Sequence, residues 1–250
     1  MAHGYFGRRG FGRNGFTLVE LVAVIVILGI LSATASAKFV SIQSDARAAV
    51  LKNIQGNIRS ANSMLFAKAL INNVNTGFSE KSMTGSDTTW SDDKHGRCAF
   101  NNCANIGDVW VYLKYAYVDR NSISYILDAD ISGVKTKEVN HYITGKSIKI
   151  PDRTKNQGDV NYACSSAGNA VCTGHDFCQC RSNEETIDGI SKRDTQYIIP
   201  NGYKYYQKNA KPEERCYFKY SSAEYLEYKV GKETLKKVFP PAYTLETGGC

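Results

Sequence analysis

The sequence predicts an α+β protein in which a long N-terminal α-helix, hydrophobic and protruding in its first half, packs on an antiparallel β-sheet head with disulfide-bonded loops. Three observations predict this class. Residues 16–37 are apolar apart from Glu20, and a helical period continues to residue 72 without a proline. Short segments rich in β-branched and aromatic residues begin at Asp108. All eight cysteines occur from Cys98 onward, in the part that is predicted to be exported.

Residues 1–15 form a leader that we expect to be removed and to take no part in the fold. The leader contains Arg8, Arg9 and Arg13 and no acidic residue, so its removal lowers the formal net charge from +7 to +4. The mild positive excess that remains favours solubility and loose contact with anionic surfaces. A DNA partner is compatible with this charge, but no motif supports it.

The apolar run of residues 16–37 is long enough to span a membrane. Its 22 residues make a helix of about 33 Å, against a hydrocarbon core of about 30 Å. Arginines ahead of such a run predict a cytoplasmic N-terminus and an exported remainder. Glu20 is the anomaly, because an ionised carboxylate inside a membrane helix costs several kcal/mol. The nearest cation that it can pair with is a freed α-amine.

The leader and the apolar run together resemble a type IV prepilin signal, in which Gly15 precedes Phe16 and Glu20 stands fifth in the helix. The resemblance implies that a prepilin peptidase cuts between Gly15 and Phe16, and that the new Phe16 amine is N-methylated. It also implies that Glu20 neutralises the Phe16 amine of a neighbouring subunit during assembly.

Two other export signals compete with the prepilin interpretation. An ordinary signal peptide would end at the small residues 35–37, and a twin-arginine leader would use Arg8 and Arg9. Both fit poorly, since the apolar part of a signal peptide has about 7–15 residues. A glutamate inside that part also obstructs insertion without any gain.

The second half of the predicted helix is amphipathic. Its apolar residues recur mostly at spacings of three and four, and charged residues lie between them. The whole helix, residues 16–72, would be about 80 Å long. By itself this half is typical of any exported domain. Next to an apolar first half, it resembles a pilin, in which residues 16–37 serve membrane insertion and assembly and residues 73–250 form the globular head.

The segment after the helix, residues 72–105, has the composition of a loop. Cys98 and Cys103 enclose four residues and are predicted to form a local disulfide. The acidic cluster at residues 87–93 offers oxygen ligands for calcium, but it lacks the regular spacing of a calcium loop. We therefore interpret it as a solvated loop and predict no metal site.

Strands are predicted in the second half of the chain, where β-branched and aromatic residues concentrate. Asp119 is predicted to cap a short helix that contains Ile123, Ile126 and Leu127. Asn201-Gly202 is a strong hairpin signal between two strands. The predicted strands are residues 108–118, 134–143, 147–150, 196–199, 203–206, 216–220 and 225–230.

Residues 151–194 are the least strand-like part of the head, and we interpret them as a cysteine-rich insertion. The four cysteines of this insertion are Cys164, Cys172, Cys178 and Cys180. Two disulfides among them would order so long a segment, although their pairing stays open. Zinc is the alternative, because His175 lies close to Cys178 and Cys180. A second ligand pair at finger spacing is missing, and an oxidising compartment favours disulfides.

Two segments resemble the mannose-sensitive haemagglutinin (MSHA) pilins. The first comprises Lys38-Phe39, residues 45–47, 51–52 and 56–65, and the second comprises residues 215–220 and 241–250. The resemblance implies a Cys216–Cys250 disulfide at the end of the chain. Ala37 departs from the family, which usually has a proline there. Gly29 remains as a weak point of the helix, so melting of the helix on assembly is left open.

No catalytic or cofactor-binding motif occurs in the sequence. A P-loop, a dinucleotide fingerprint, a nucleophile elbow and a zincin motif are all absent. We therefore expect neither an enzyme nor a cofactor. Tyrosines concentrate in the last quarter, which favours sheet or interface roles, with stacking on surface glycans as an alternative. They include Tyr203, Tyr205, Tyr206, Tyr217, Tyr220, Tyr225 and Tyr228.

The function that the sequence predicts is a structural and adhesive one. The chain would be held in the inner membrane of a bacterium as a precursor and then assembled with copies of itself into an extracellular type IV pilus. Its partners would be the prepilin peptidase and the pilus assembly machinery. The alternatives are a pseudopilin of a type II secretion system and an exported domain that uses the helix only as a membrane anchor.

Overall fold

In a computed structural model, the chain forms one long helix followed by short strands, and the predicted α+β class is confirmed. Helix α1 spans Leu18–Ile71, close to the predicted bounds. The chain divides into an N-terminal unit, Met1–Asp45, and a head unit, Ala46–Cys250. The structure describes residues 16–71, 103–140, 145–152, 162–187, 190–205, 207 and 209–250.

The N-terminal unit contains the apolar part of α1. Within the described residues, Leu18–Ala35 is the one stretch long and apolar enough to cross a membrane, and none of it is buried. The helix continues through Gly29 without a break. Signal sequences and core helices of soluble proteins have similar length and composition, so the apolar run alone does not decide the function.

In the head unit, α1 buries one face. The buried residues follow the predicted spacing of three and four and belong to the main hydrophobic core, together with Val111, Ile198 and Phe218 from the sheets. Burying a leucine or isoleucine side chain contributes about 1.5–3 kcal/mol each. The buried residues of this face are Leu51, Ile54, Ile58, Leu65 and Ala69.

The described strands of the head form two larger sheets and a separate hairpin. The first sheet has the order β1-β2-β5-β4, with β3 paired to β2, and the second has the order β11-β8-β7-β6; β9 and β10 form the hairpin. All pairs are antiparallel except β2 with β5. The strands are Cys103–Ile106 (β1), Val109–Lys114 (β2), Tyr117–Val118 (β3), Thr136–Asn140 (β4), Ser147–Pro151 (β5), Phe177–Ile187 (β6), Ile190–Pro200 (β7), Tyr217–Ser221 (β8), Glu224–Val230 (β9), Glu233–Phe239 (β10) and Ala242–Glu246 (β11).

The single strand predicted at residues 108–118 is wrong, because the chain reverses direction at residues 115–116. Tyr115 and Ala116 have φ angles of 53° and 67° and turn β2 back onto β3. Residues other than glycine rarely adopt such φ angles. Both residues are buried, so packing in the core holds a turn that the local sequence does not favour.

The short helix after Asp119 is also different from the prediction. It is a 3-10 helix over Ile123–Ile126, and its N-cap is Ser122. The Asp119 carboxylate instead accepts hydrogen bonds from the backbone N–H and the side-chain amide of Asn121. Asp119 therefore shapes the turn before the helix and does not cap it.

The segment predicted to be strand-poor, residues 151–194, contains β6 and the first part of β7. The sequence of β6 lacks the usual strand pattern because its buried positions are Cys178, Gln179 and Cys180. Disulfides and hydrogen bonds stabilise these positions, where an ordinary strand would use aliphatic packing. The predicted strand at 203–206 is wrong at Tyr203–Tyr205, where only one bridge pairs Lys204 with Val171. Asn201-Gly202 makes a turn at the end of β7, and the described residues that follow it, 203–205, pair only through the bridge at Lys204.

A buried polar cluster joins α1 to both larger sheets. Asn62, which is 2% exposed, accepts a hydrogen bond from Val118 N–H at 2.8 Å. Its amide donates to the hydroxyls of Tyr220 at 3.2 Å and Tyr243 at 2.8 Å, and Tyr220 donates to the Val118 carbonyl. Burial raises the pKa of Tyr243, and the hydrogen bond to Asn62 opposes that shift. Both the side-chain oxygen and the side-chain amide of Asn62 therefore have hydrogen-bond partners in the core.

Replacing Asn62 by leucine is expected to lower the free energy of unfolding of the head by about 3 kcal/mol, since it leaves the buried Val118 N–H without an acceptor and removes the amide that donates to the Tyr220 and Tyr243 hydroxyls. Denaturant unfolding of the full chain in detergent measures the loss. Asn57→Leu is the matched control, because Asn57 lies on the same helix and is exposed. Equal stability of the two variants would contradict the role of the cluster.

Candidate assembly site and disulfide framework

The first turn of α1 carries the predicted assembly residues, and here Glu20 folds back onto Thr17. The backbone N–H and the hydroxyl of Thr17 both donate to Glu20 Oε2 at 2.9 Å. The Glu20 N–H in turn contacts Thr17 Oγ1 at 3.3 Å. This reciprocal arrangement is a capping box, in which two side chains satisfy the free N–H groups at a helix start.

The surroundings of this turn are open. Phe16 is 90% exposed, and Leu18, Val19 and Leu21 are also exposed. Among the described residues no cation contacts the Glu20 carboxylate; its hydrogen bonds come from Thr17. Gly15, the residue predicted to precede the cleavage site, lies outside the described residues. Within the described residues, the Glu20 carboxylate therefore has no cationic partner at the start of an unburied apolar helix.

Thr17 was missed as a functional residue. The spacing Thr17-x-x-Glu20, directly before an apolar run, is the sequence signature of a capping box. It assigns Glu20 a local role, stabilising the helix start, in addition to the role in assembly that the resemblance implies.

The end of the chain is closed by a disulfide between Cys216 and Cys250, the pair that the resemblance implies. The Tyr203 hydroxyl also stabilises this end of the chain, because it donates to the Gly249 carbonyl at 2.9 Å and to the Cys250 carbonyl at 2.7 Å. Gly249 is required there, since a Cβ atom would lie 2.3 Å from the Glu214 carbonyl carbon. The covalent loop has a sequence separation of 34 and contains β8, β9, β10 and β11.

The four cysteines of the predicted insertion form two further disulfides, Cys164–Cys180 and Cys172–Cys178. Both are buried in a small second core with Ile199, Tyr205 and Tyr217. Because Cys178 and Cys180 are oxidised, they do not bind zinc beside His175. Cys103 is also disulfide-bonded, while its predicted partner Cys98 and the acidic cluster at residues 87–93 lie outside the described residues.

Most of the last-quarter tyrosines whose side chains the structure describes lie in the interior. Tyr205, Tyr217 and Tyr220 are buried, and Tyr217 packs edge-on against Tyr197. Tyr203 lies under the Arg47 guanidinium at 5.7 Å. Tyr206, Tyr225 and Tyr228 are outside the side chains that the structure describes. The rings that the structure places therefore offer little exposed surface for stacking on a ligand.

Comparison with known proteins identifies the N-terminal segment. A family model described as the prokaryotic N-terminal methylation motif matches residues 10–36, which include Gly15, Phe16, Thr17 and Glu20. No curated protein and no solved structure matches the chain. The chain therefore carries a prepilin-like signal, which implies processing by a prepilin peptidase and assembly by a pilus-type machinery. The signal supports a pilin-like or pseudopilin protein and does not distinguish between the two.

Proposed function

We propose that this chain is a structural subunit of an extracellular type IV pilus of the MSHA type, assembled through its hydrophobic N-terminal helix. The proposal rests on the overlap of a sequence motif with a structural feature. The methylation motif at residues 10–36 overlaps an unburied apolar helix, and the first turn of that helix holds a carboxylate that no cation among the described residues contacts. A membrane anchor alone would need this side chain only to cap the helix, and glutamine completes a capping box without placing a charge in the membrane.

In this proposal the chain has three parts. Residues 1–15 are the leader that the peptidase removes, residues 16–72 are the assembly helix, and residues 73–250 are the head. The segment 16–37 holds the precursor in the inner membrane and later packs among copies of itself. Cleavage creates the Phe16 amine, which is methylated and pairs with Glu20 of a neighbouring subunit.

The pilus is preferred over a type II secretion pseudopilin because of the covalent framework of the head. An extracellular fibre is exposed to mechanical and proteolytic stress, and disulfides stabilise a head that must persist there. Three disulfides lie within residues 164–250. The MSHA-like segments 215–220 and 241–250 contribute to β8 and β11, which are neighbours in the second sheet. Adhesion to surfaces, including glycans, is the activity of such a fibre.

Processing between Gly15 and Phe16 is the first expected result. Intact mass and N-terminal sequencing of the exported protein should give a chain that begins at Phe16 and carries one added methyl group. Gly15→Leu should block this cleavage, while Gly10→Leu, a matched change within the leader, should not. A chain that begins at Lys38 would indicate an ordinary signal peptidase and would overturn the proposal.

Purified surface filaments distinguish the remaining candidates. A pilus subunit is the bulk protein of sheared filaments, with three or more disulfides intact. A pseudopilin is processed in the same way but stays with the cell envelope. A chain that uses α1 only as an anchor keeps its leader and enters no filament.

A further inference from the structure

Charged side chains from several segments of the head meet beside the second sheet. Lys114 lies at the end of β2, Asp194 in β7 and Glu224 at the start of β9. The Lys114 Nζ atom lies 2.6 Å from Glu224 Oε2 and 3.7 Å from Asp194 Oδ2. Arg120, in the turn that follows β3, brings its Nε atom to 3.3 Å from Asp194 Oδ1. These ion pairs connect the two larger sheets and the β9–β10 hairpin.

Arg120 is the most deeply buried charge of these four, since only 4% of its side chain is exposed. Its backbone N–H donates to the Ser222 hydroxyl at 2.8 Å, which fixes its position. Although Asp194 is near, the Nε and Nη1 atoms of Arg120 have no hydrogen-bond partner among the described residues. A buried donor without an acceptor lowers stability, so this guanidinium has unused capacity for an acceptor.

Arg181 supplies a second guanidinium on the same face of the second sheet. It stands in β6 directly opposite Gln196 of β7, and Gln196 shares a face with Asp194, two residues earlier. Within the described chain, the buried Arg181 Nε atom has no hydrogen-bond partner, and neither has Gln196 Oε1. Burial and, after it, the charge of Arg120 lower the pKa of Arg181, while Asp194 opposes the shift. The two guanidiniums are therefore close enough to repel each other in a poorly hydrated place.

Positive charge exceeds negative charge among the described side chains of this cluster. Its members are the cations Lys114, Arg120 and Arg181 and the carboxylates of Asp194 and Glu224. Asp119, the acid next to Arg120 in the chain, instead accepts hydrogen bonds from Asn121. An excess charge away from water is unfavourable unless a counter-ion compensates it. One bound monovalent anion would balance the cluster.

The surroundings decide which group can fill this role. A metal cation would be repelled by the two guanidiniums. Because Arg120 and Gln196 are almost fully buried, a large organic anion would have to displace these side chains. A water molecule could accept from a guanidinium and donate to Gln196 Oε1, but it brings no compensating charge. A small monovalent anion is the occupant that supplies both an acceptor and the missing charge.

We propose that a single chloride ion binds between the guanidiniums of Arg120 and Arg181 and accepts hydrogen bonds from Nη1 of the first and Nε of the second. Such hydrogen bonds are charge-assisted and stronger than neutral ones. The ion would join the turn after β3 to strand β6, and so stabilise the head. Binding requires neither cleavage of the leader nor a filament, so its failure would leave the proposed function untouched.

The experiment is urea unfolding of the full-length protein in a nonionic detergent, with chloride exchanged for the larger anion gluconate. Urea is used because a guanidinium salt would add chloride. The ionic strength is held at about 0.15 M, so that screening of surface charges stays constant. Once chloride exceeds its dissociation constant, each tenfold increase should raise the folding equilibrium constant about tenfold, as for one site on the folded state. A folding equilibrium constant that does not change with chloride would overturn the proposal and indicate water in the site.

Two variants and a matched control locate the ion. Arg181→Gln removes one guanidinium and should abolish the chloride dependence, whereas Arg59→Gln, the same change at an exposed position of the head, should keep it. Asp194→Asn removes a carboxylate that repels the anion, so it should bind chloride several-fold more tightly even if the variant is less stable. A purely structural role of Asp194 would lower stability equally at every chloride concentration. That result, or equal chloride dependence of the two arginine variants, would refute this site.

Discussion

Replacing Glu20 by alanine is expected to leave a subunit that is inserted and cleaved but enters surface filaments far less than the parent does. In the proposed fibre, the incoming Phe16 amine would be buried among apolar helices without its counter-ion. An unpaired charge in such surroundings costs several kcal/mol, and each 1.4 kcal/mol corresponds to a factor of about ten in an equilibrium. The measurement is sheared filament relative to total membrane-held protein.

Two further variants at the capping box separate the charge of Glu20 from its role in capping the helix. Glu20→Gln keeps an acceptor for the Thr17 N–H, since glutamine also completes a capping box, but it removes the charge. Thr17→Ala breaks the box and keeps the charge. Charge pairing predicts that Glu20→Gln fails like Glu20→Ala, while Thr17→Ala still assembles. The opposite ranking would show that helix capping is the function of Glu20.

Leu21→Ala is the control for packing in this series. Leu21 is an exposed apolar neighbour of Glu20, and its truncation should change assembly little. If Glu20→Ala yields as much filament as Leu21→Ala, the charge-pairing mechanism is wrong.

Removal of the Cys216–Cys250 disulfide is expected to give the largest loss of stability in the head. Closing a loop with a separation of 34 residues removes denatured-state entropy worth about 4 kcal/mol. Cys216→Ala combined with Cys250→Ala should lower the free energy of unfolding by about that amount. It should also release the chain end from Tyr203, so that protease cleavage near residue 250 becomes faster. Denaturant unfolding of the non-reduced protein measures the first effect.

The matched control is the double alanine variant at Cys172 and Cys178. Both pairs are buried, so the cost of the missing sulfur atoms is similar. The Cys172–Cys178 loop has a separation of six, and its entropic contribution is about 2 kcal/mol. If the control loses as much stability as the Cys216–Cys250 variant, loop entropy does not explain the effect.

Elements with a strong local pattern could be predicted from the sequence. The spacing of Leu51, Ile54, Ile58 and Leu65 predicts the face of α1 that the head buries, because a helical period is a local property. The strand at residues 147–150 and that at 225–230 also follow from composition. By contrast, β6 has no aliphatic alternation, and its strand conformation depends on pairing with β7 and on two disulfides. The turn at Tyr115-Ala116 opposes local preference and is imposed by the core around it.

By itself the sequence determined the long apolar helix and the methylation motif at its start. Both are contiguous in the chain, and each depends on interactions within a few residues. It did not determine the pairing of Cys164, Cys172, Cys178 and Cys180, the hydrogen bonds of Asn62, or the meeting of Asp130 with His175. Apart from the Cys172–Cys178 disulfide, those contacts join residues well separated in sequence, and all of them form only once the strands have paired in register. Only the tertiary structure decided them, because strand pairing sets which side chains come within bonding distance.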